Sequence, residues 1–421
     1  MTKIAFEIVG AKTFEDRDNF VSIDAKTLAG AEAIVTSVRN EGEPAIRRYA
    51  RQFKERDDAQ PLLIGQSEME AAAQRIDQSD LELLHRVKDR IANFAQAQLD
   101  SLTDLEFSVP GGKAGHKIVP ISRAGCYAPA GRFALPSTVL MTVVPAVVAG
   151  CDEIVLATPN PSDLMLATAM VAGATQVLAV GGAHAIATMA YGFDSFEKCD
   201  IIVGPGNRWV TAAKKIVNGD CGIDMLAGPS ELVLVADESA HPQTIAADIL
   251  AQAEHDVDAR PFLITTSRQI AEQVIEALIE QLDVLPTAEI ARQSLANGAA
   301  IVASSIEEAI EVCNKLAPEH LELHCENASD IANKINHAGC IFIGSQSAEV
   351  FGDYGVGPNH TLPTAGTSRF SGGLNVFTFV RVRTWLELTK APQSLIDDTA
   401  RLAELEGLIG HQRSSLKRQA P

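Results

Sequence analysis

Aromatic residues are scarce in this 421-residue chain, at 5% of positions, and basic residues are outnumbered: 35 Lys and Arg face 54 Asp and Glu, a net charge of −19. Such a surface repels phosphate backbones and anionic headgroups, so neither nucleic acid nor membrane is expected as a partner. The segment Met1-Thr-Lys-Ile-Ala-Phe-Glu7 has no apolar run of the signal-peptide kind, and the expectation is a cytoplasmic protein. Cys-x-x-Cys spacing is absent. The seven cysteines, at 126, 151, 199, 221, 313, 325 and 340, are odd in number and are expected to be reduced, buried and inert. Cys126, between Gly125 and Tyr127, is the candidate thiol nucleophile among them. The G-x-G-x-x-G dinucleotide fingerprint is missing as well.

One long stretch, Leu164 to Phe193, carries no Asp, Glu, Lys or Arg. It is not expected to span a membrane, because Gly173, Gly181-Gly182 and His184 divide it into helix, strand and helix of ordinary globular length.

What is present is apolar aliphatic material, with hydrophobic residues at 46% and charged ones at 21%. From about Lys117 onward, short β-rich runs alternate with amphipathic segments, the pattern of parallel strands joined by crossover helices. Ile154 to Ala157, Val177 to Val180, Ile201 to Val203 and Leu232 to Val235 read as strands covered on both faces. Phe262 to Thr265, Ala300 to Ala303 and Cys340 to Ile343 form a second series, and Ser305 with Glu308 has capping-box spacing. Before residue 115 the chain reads as a helical flanking layer, with Leu81, Leu84, His85, Val87 and Ile91 on one helix face. Beyond about Pro392 it is again helical and charged.

Four groups of residues are candidates for chemistry. In Gln252-Ala-Glu-His255, the three-residue spacing on a helix projects both side chains from one face, where they can share a metal, although such pairs are more often surface decoration. In Ala317-Pro-Glu-His320, Pro318 stops a helix and leaves Glu319 and His320 on a loop entering a Leu321 to Leu323 strand, a place for proton transfer or for an ordinary capping histidine. In Gly352-Asp353-Tyr-Gly-Val-Gly357-Pro-Asn-His360, three glycines bend the backbone around a carboxylate and an imidazole, as a metal site or a simple turn requires. The glycine-rich turns Tyr127-Ala-Pro-Ala-Gly131-Arg132, Gly181-Gly-Ala-His184 and Gly204-Pro-Gly206-Asn207 can turn backbone N–H groups towards a phosphate, or serve only close strand-to-helix packing.

Taken in order, Cys126-Tyr-Ala-Pro-Ala-Gly-Arg132, Pro136-Ser-Thr-Val-Leu-Met141, Val180-Gly-Gly-Ala183, Gly204-Pro-Gly-Asn207, Ala227-Gly-Pro-Ser-Glu231, Gln252-Ala-Glu-His255, Ala317-Pro-Glu-His320, Gly352-Asp-Tyr354 and Asn359-His-Thr-Leu-Pro-Thr364 resemble the histidinol dehydrogenase family from about residue 22 to the C-terminus. The resemblance implies a zinc- and NAD-dependent enzyme oxidising L-histidinol through L-histidinaldehyde to L-histidine with two NAD. It implies one Zn²⁺ per subunit held by Gln252, His255, Asp353 and His411, and proton chemistry at Glu319 and His320. Substrate contacts implied are Ser230, His360 and Glu406 beside His320 and the four zinc ligands, with NAD contacted by Tyr127, His184 and Asn207. His184 and Ala130 depart from the family pattern, standing where relatives usually carry a glutamine and a glycine. The implied assembly is a homodimer with shared active sites.

The fold class expected is α/β, with two Rossmann-like parallel-sheet domains and helical N- and C-terminal extensions. The expected division is 1–21 as N-terminal extension, 22–122 with 232–375 as a discontinuous first domain, 123–231 as the NAD-side domain, and 376–421 as a C-terminal helical segment packed on the partner subunit. Two other functions remain open at this point. Arg132 and the Arg369-Phe-Ser-Gly-Gly-Leu374 segment are similar to relatives that oxidise a sulfonated propanediol, and a metal-binding homologue without catalysis is the third reading.

Overall fold

Strands assigned from apolar runs assemble into two six-stranded sheets and one small antiparallel sheet. The computed structural model describes residues 4–14, 23–130 and 134–419. In the first sheet the order is Glu7–Gly10, Ala299–Val302, Arg260–Thr265, Glu231–Ala236, His320–His324 and Cys340–Ile343, all parallel. In the second it is Leu63–Ile64, Gln176–Leu178, Glu153–Ala157, Arg123–Tyr127, Ile201–Val203 and Gly222–Ile223, parallel except for the first pair. Helices cover both faces of each sheet, which is why the central strands are apolar on both sides.

The charge-free stretch is helix Asp163–Ala172, strand Gln176–Leu178 and helix Gly182–Tyr191, and no described helix is long and apolar enough to cross a membrane. Ser305 caps helix Ile306–Leu316 by accepting the Glu308 N–H, and the helix ends on Ala317 at φ 49°, one residue before Pro318.

The expected domain division differs from the strand pairing in three places. The expectation joins 22–122 to the first sheet, yet Leu63–Ile64 pairs with Gln176–Leu178, and Ala31, Val35, Ile46, Met69, Leu84 and Ile91 pack into the second sheet's cores. Two strand residues and four helices carry too little periodicity to announce which sheet they cover. Within the expected N-terminal extension, Glu7–Gly10 is an edge strand of the first sheet. After a 3-10 turn at Val376–Phe379 the C-terminal segment forms a nine-residue strand, Val380–Leu388, paired antiparallel with Gly112–Pro120, before the helices Gln393–Leu405 and Ile409–Leu416.

The two large sheets meet at opposite ends of their strands. Ser230, Glu231, Arg260, Glu319 and His320 stand at the amino ends of first-sheet strands, whereas Pro129 and Pro205-Gly-Asn207 follow the carboxyl ends of second-sheet strands. Arg123–Tyr127 lies between Glu153–Ala157 and Ile201–Val203, so crossovers leave it in both directions and open a crevice at its carboxyl end, the usual ligand position of open α/β sheets. Gly204 is required in that turn: its φ is 114°, and a Cβ would meet the Tyr127 carbonyl oxygen.

Candidate active site

A cavity of about 1560 Å³ occupies the space between the sheets, and residues from all the motifs of the resemblance named above except Val180-Gly-Gly-Ala183 line it. Ser230, Gln252, His255, Glu319, His320, Asp353, His360 and Asn207 are all in its wall. These positions span 154 residues of sequence, from Asn207 to His360, and are gathered by the sheet order rather than by proximity along the chain.

Gln252 lies in the last turn of helix Pro242–Ala253, fully buried, and neither its amide oxygen nor its amide nitrogen has a hydrogen-bond partner among the described residues. An unsatisfied buried amide costs roughly 1–3 kcal/mol per group, so Gln252 is a side chain prepared for something the protein alone does not supply. His255 falls just past the helix end, in a turn rather than on the helix face expected from its spacing. Its Nε2 is 3.6 Å from Asp353 Oδ2, and the carboxylates of Asp353 and Glu349 lie with it in a cluster compact enough to hold a metal ion. Asp353 ends the short helix Glu349–Asp353, which sets Glu349 one turn away on the same side. Nitrogen and oxygen donors of this kind, with a buried amide oxygen beside them, fit a divalent zinc.

His320 opens the strand His320–His324 instead of preceding it. Its Nδ1 faces the Glu231 carbonyl oxygen at 3.1 Å and its Nε2 has no hydrogen-bond partner. A hydrogen on Nδ1 is the one that carbonyl can accept, which leaves the Nε2 lone pair free. Burial lowers the His320 pKa below the ordinary imidazole value, so the ring is a neutral base at rest. Glu319 Oε2 accepts the Glu231 N–H at 2.9 Å and lies 3.6 Å from His320 Nδ1; burial pushes its carboxyl well above the usual range. His360 Nδ1 is likewise engaged by a carbonyl, that of Asp353, at 3.0 Å.

On the side where a cofactor is expected, Asn207 caps helix Arg208–Val217 through the Trp209 and Val210 N–H groups while facing the cavity. Tyr127 and His184 are not in the cavity wall. The Tyr127 hydroxyl accepts the Gly182 N–H, and His184 is buried against Glu55 with its ring stacked on Phe53. Two of the three expected NAD contacts therefore lie outside the cavity, the Tyr127 hydroxyl engaged by Gly182 and His184 Nε2 by Glu55. Arg132 lies outside the described residues, and Arg369 donates to the Gly366 and Lys315 carbonyl oxygens away from the cavity. Glu406 and His411, on the C-terminal helices, are exposed and do not line the cavity of their own chain. Cys126 is fully buried, its thiol directed at the Thr142 carbonyl oxygen and pushed well above its ordinary pKa by burial, so the nucleophile reading is overturned.

Two residues that sequence reasoning missed line the site, and a third supports it from outside. Glu349 Oε1 is 3.5 Å from His320 Nδ1; Glu231 pairs with Arg260 and accepts the Ala365 N–H. The spacing of Glu349 from Asp353, one helical turn, was the available signal for the first. Lys214, buried with Asp224 and donating to the Gly204 carbonyl oxygen, holds the Gly-Pro-Gly turn from below.

The family model described as histidinol dehydrogenase matches residues 21–419. The chain is 40% identical over 393 residues to the histidinol dehydrogenase of Methanocaldococcus jannaschii and 42% identical over 391 residues to that of Halalkalibacterium halodurans, covering 91% of either chain in both cases. The crystal structure of histidinol dehydrogenase from Elizabethkingia anophelis superposes with a TM-score of 0.91 at 33% identity, with 99% of both chains covered.

Proposed function

The chain belongs to the histidinol dehydrogenase family, an oxidoreductase family, and on that premise we propose that it oxidises L-histidinol through L-histidinaldehyde to L-histidine at the expense of two NAD. The observation that carries the reading is Gln252, buried with both amide atoms unpartnered beside His255, Asp353 and the free Nε2 of His320. Gln252, His255 and Asp353 are the residues that would hold a zinc, with His411 supplied by a second copy of the chain. A zinc held there would supply a Lewis acid that orients the substrate. NAD enters from the crevice beside Asn207.

His320 Nε2 takes the hydroxyl proton as hydride leaves the same carbon for NAD, which yields the aldehyde. Glu319 takes one proton from the water that adds to the aldehyde carbon, hydride departs from the hydrate to a second NAD, and the remaining hydroxyl proton passes to His320, which has returned the first to solvent, leaving the carboxylate. Once ionised, a carboxylate raised by burial is a stronger base than an exposed one. Glu231 orients both groups, receiving the His320 ring on its carbonyl and offering its N–H to Glu319.

The homodimer is supported by exposed apolar surface. Leu402, Leu405, Leu408 and Ile409 are exposed on the C-terminal helices, and Phe351, Tyr354 and Val356 are exposed around Asp353, where a second chain's tail would bring Glu406 and His411 to the cavity. Of the two arginines that suggest a sulfonated substrate, Arg132 lies outside the described residues and Arg369 is occupied by backbone carbonyls. The purified protein, given Zn²⁺, NAD and either L-histidinol or the sulfonated propanediol, should form two NADH per histidinol consumed and none with the sulfonate. Absence of NADH with both would leave the non-catalytic reading.

A further inference from the structure

Strand His320–His324 is buried along its whole length, and its alternation places His320, Glu322 and His324 on one face with Leu321 and Leu323 on the other. Helix Pro242–Ala253 runs against the polar face, presenting Gln252 and, one turn earlier, Asp248. The same strand and helix thus build two clusters. Gln252 and His320 belong to the active site. Asp248, Glu322 and His324 form a separate group whose ligand atoms lie within 4.8 Å of one another.

Asp248 and Glu322 can share a proton between their carboxyls, whereas His324 Nε2 makes no hydrogen bond in the group and stands at distances suited to ligation. His324 Nε2 is 3.4 Å from Glu322 Oε2 and 3.7 Å from Asp248 Oδ2. Ligands about 2.0–2.2 Å from a tetrahedral metal are separated by roughly 3.3–3.6 Å from one another. His324 Nε2, Glu322 Oε2 and Asp248 Oδ2 are all buried without a hydrogen-bond partner among the described residues. Glu322 is fully buried and His324 is 2% exposed, so neither turns to solvent instead. The other Glu322 oxygen accepts the Glu349 N–H at 2.6 Å, which fixes the carboxylate so that Oε2 points at the imidazole and Asp248.

We propose that Asp248, Glu322 and His324 bind a second divalent transition-metal ion, of the zinc class, separate from the active-site metal. Two carboxylates and a neutral imidazole carry a charge of −2, which a divalent cation cancels. The described ion pairs of Glu322 and Asp248 are with His324 alone, and a buried carboxylate without a counter-charge is costly. In the metal-free chain a proton relieves that cost: burial, and then the neighbouring Glu322 charge, push Asp248 up to about 7. The imidazole selects zinc-like ions over magnesium or calcium, which prefer all-oxygen shells. Asp248, the least buried of the three, is the side from which the ion enters. The role is structural. The ion clamps helix Pro242–Ala253 to strand His320–His324 and, through Glu322, the start of helix Glu349–Asp353, and each of these three elements also carries an active-site residue.

Metal counting by elemental analysis after loading with excess Zn²⁺ and desalting tests this. Wild type should retain two equivalents per chain, His324→Ala and Glu322→Gln one each, and His255→Ala one, lost instead from the active site. Glu322→Gln keeps the shape and the bond from the Glu349 N–H, and so serves if His324→Ala does not fold. A wild type with a single equivalent that survives in His255→Ala but not in Glu322→Gln upholds the second site while removing the active-site zinc. A single equivalent lost in His255→Ala, or two equivalents unchanged in Glu322→Gln and His324→Ala, overturns the proposal.

Discussion

His184 Nε2 lies 2.8 Å from Glu55 Oε2, and the same carboxylate oxygen accepts the Gly181 N–H at 3.1 Å. A histidine where relatives usually carry glutamine is therefore a tie between the Gly181-Gly182 turn and the segment after helix Glu43–Gln52. His184→Ala should lower unfolding free energy by roughly 1–3 kcal/mol, because Glu55 is left poorly satisfied and a buried ring is removed. Denaturant titration measures it. The same variant with wild-type stability but a raised KM for NAD would make His184 a cofactor contact instead.

His320 and Glu319 should separate in half-reactions. Loss of His320 removes the base for the first hydride transfer, and His320→Ala should cost on the order of 10²–10⁴ in alcohol oxidation. Glu319→Gln should spare conversion of alcohol to aldehyde more than oxidation of added aldehyde. Single-turnover measurements from each substrate decide the point, and equal losses in both would end this division of labour.

The strands and the motif residues were legible because each depends on local pattern: apolar runs for buried parallel strands, Pro318 for the end of a helix, Gly and Asn for turns. Where the helices of residues 25–100 would dock was not legible, since an amphipathic face states that it is covered and not by what. The same limit misplaced His255. Three-residue spacing is identical for a helix and for the turn that ends it, and the helix stops at Ala253. Glu322 and His324 escaped notice although period-two spacing from His320 put all three on one strand face.

Cysteine chemistry should be silent in the folded protein. Cys126 and Cys313 are fully buried, burial pushes Cys151 and Cys199 up to about 12 and Cys340 to about 11, and thiolate is the reactive form. Iodoacetamide at neutral pH should leave the native enzyme active and alkylate rapidly only after unfolding. Cys126→Ser should retain turnover; its loss in a variant that folds normally would restore the nucleophile.

Glu41 supplies a pH test. Its carboxylate receives Arg48 Nη1 at 2.8 Å and Ser37 Oγ at 2.6 Å, and these bonds, Arg48's first, lower its pKa from 4.5 to about 2. A folded pKa below the unfolded one stabilises the protein above the unfolded value, and the contribution is lost as pH falls through the folded value. Wild type should thus unfold at higher urea than Glu41→Gln at pH 7, with the gap closing between pH 4.5 and about 2. An undiminished gap at the acid end would contradict the assignment.

The active site should be completed by a second chain. Glu406 and His411 are exposed and absent from the cavity of their own chain, while Gln252, His255 and Asp353 already converge there. The tail that bears the first two carries exposed Leu402, Leu405, Leu408 and Ile409, an apolar face suited to crossing an isologous interface. His320→Ala and His411→Ala are each expected to be inactive as homodimers. When their subunits exchange into hybrids, supply of His411 in trans concentrates both lesions in one site and leaves the other with none, so activity returns from two dead proteins. Supply in cis leaves one lesion in every site. Hybrids verified by native mass spectrometry that remain inactive would therefore place His411 in its own chain's site or outside catalysis altogether.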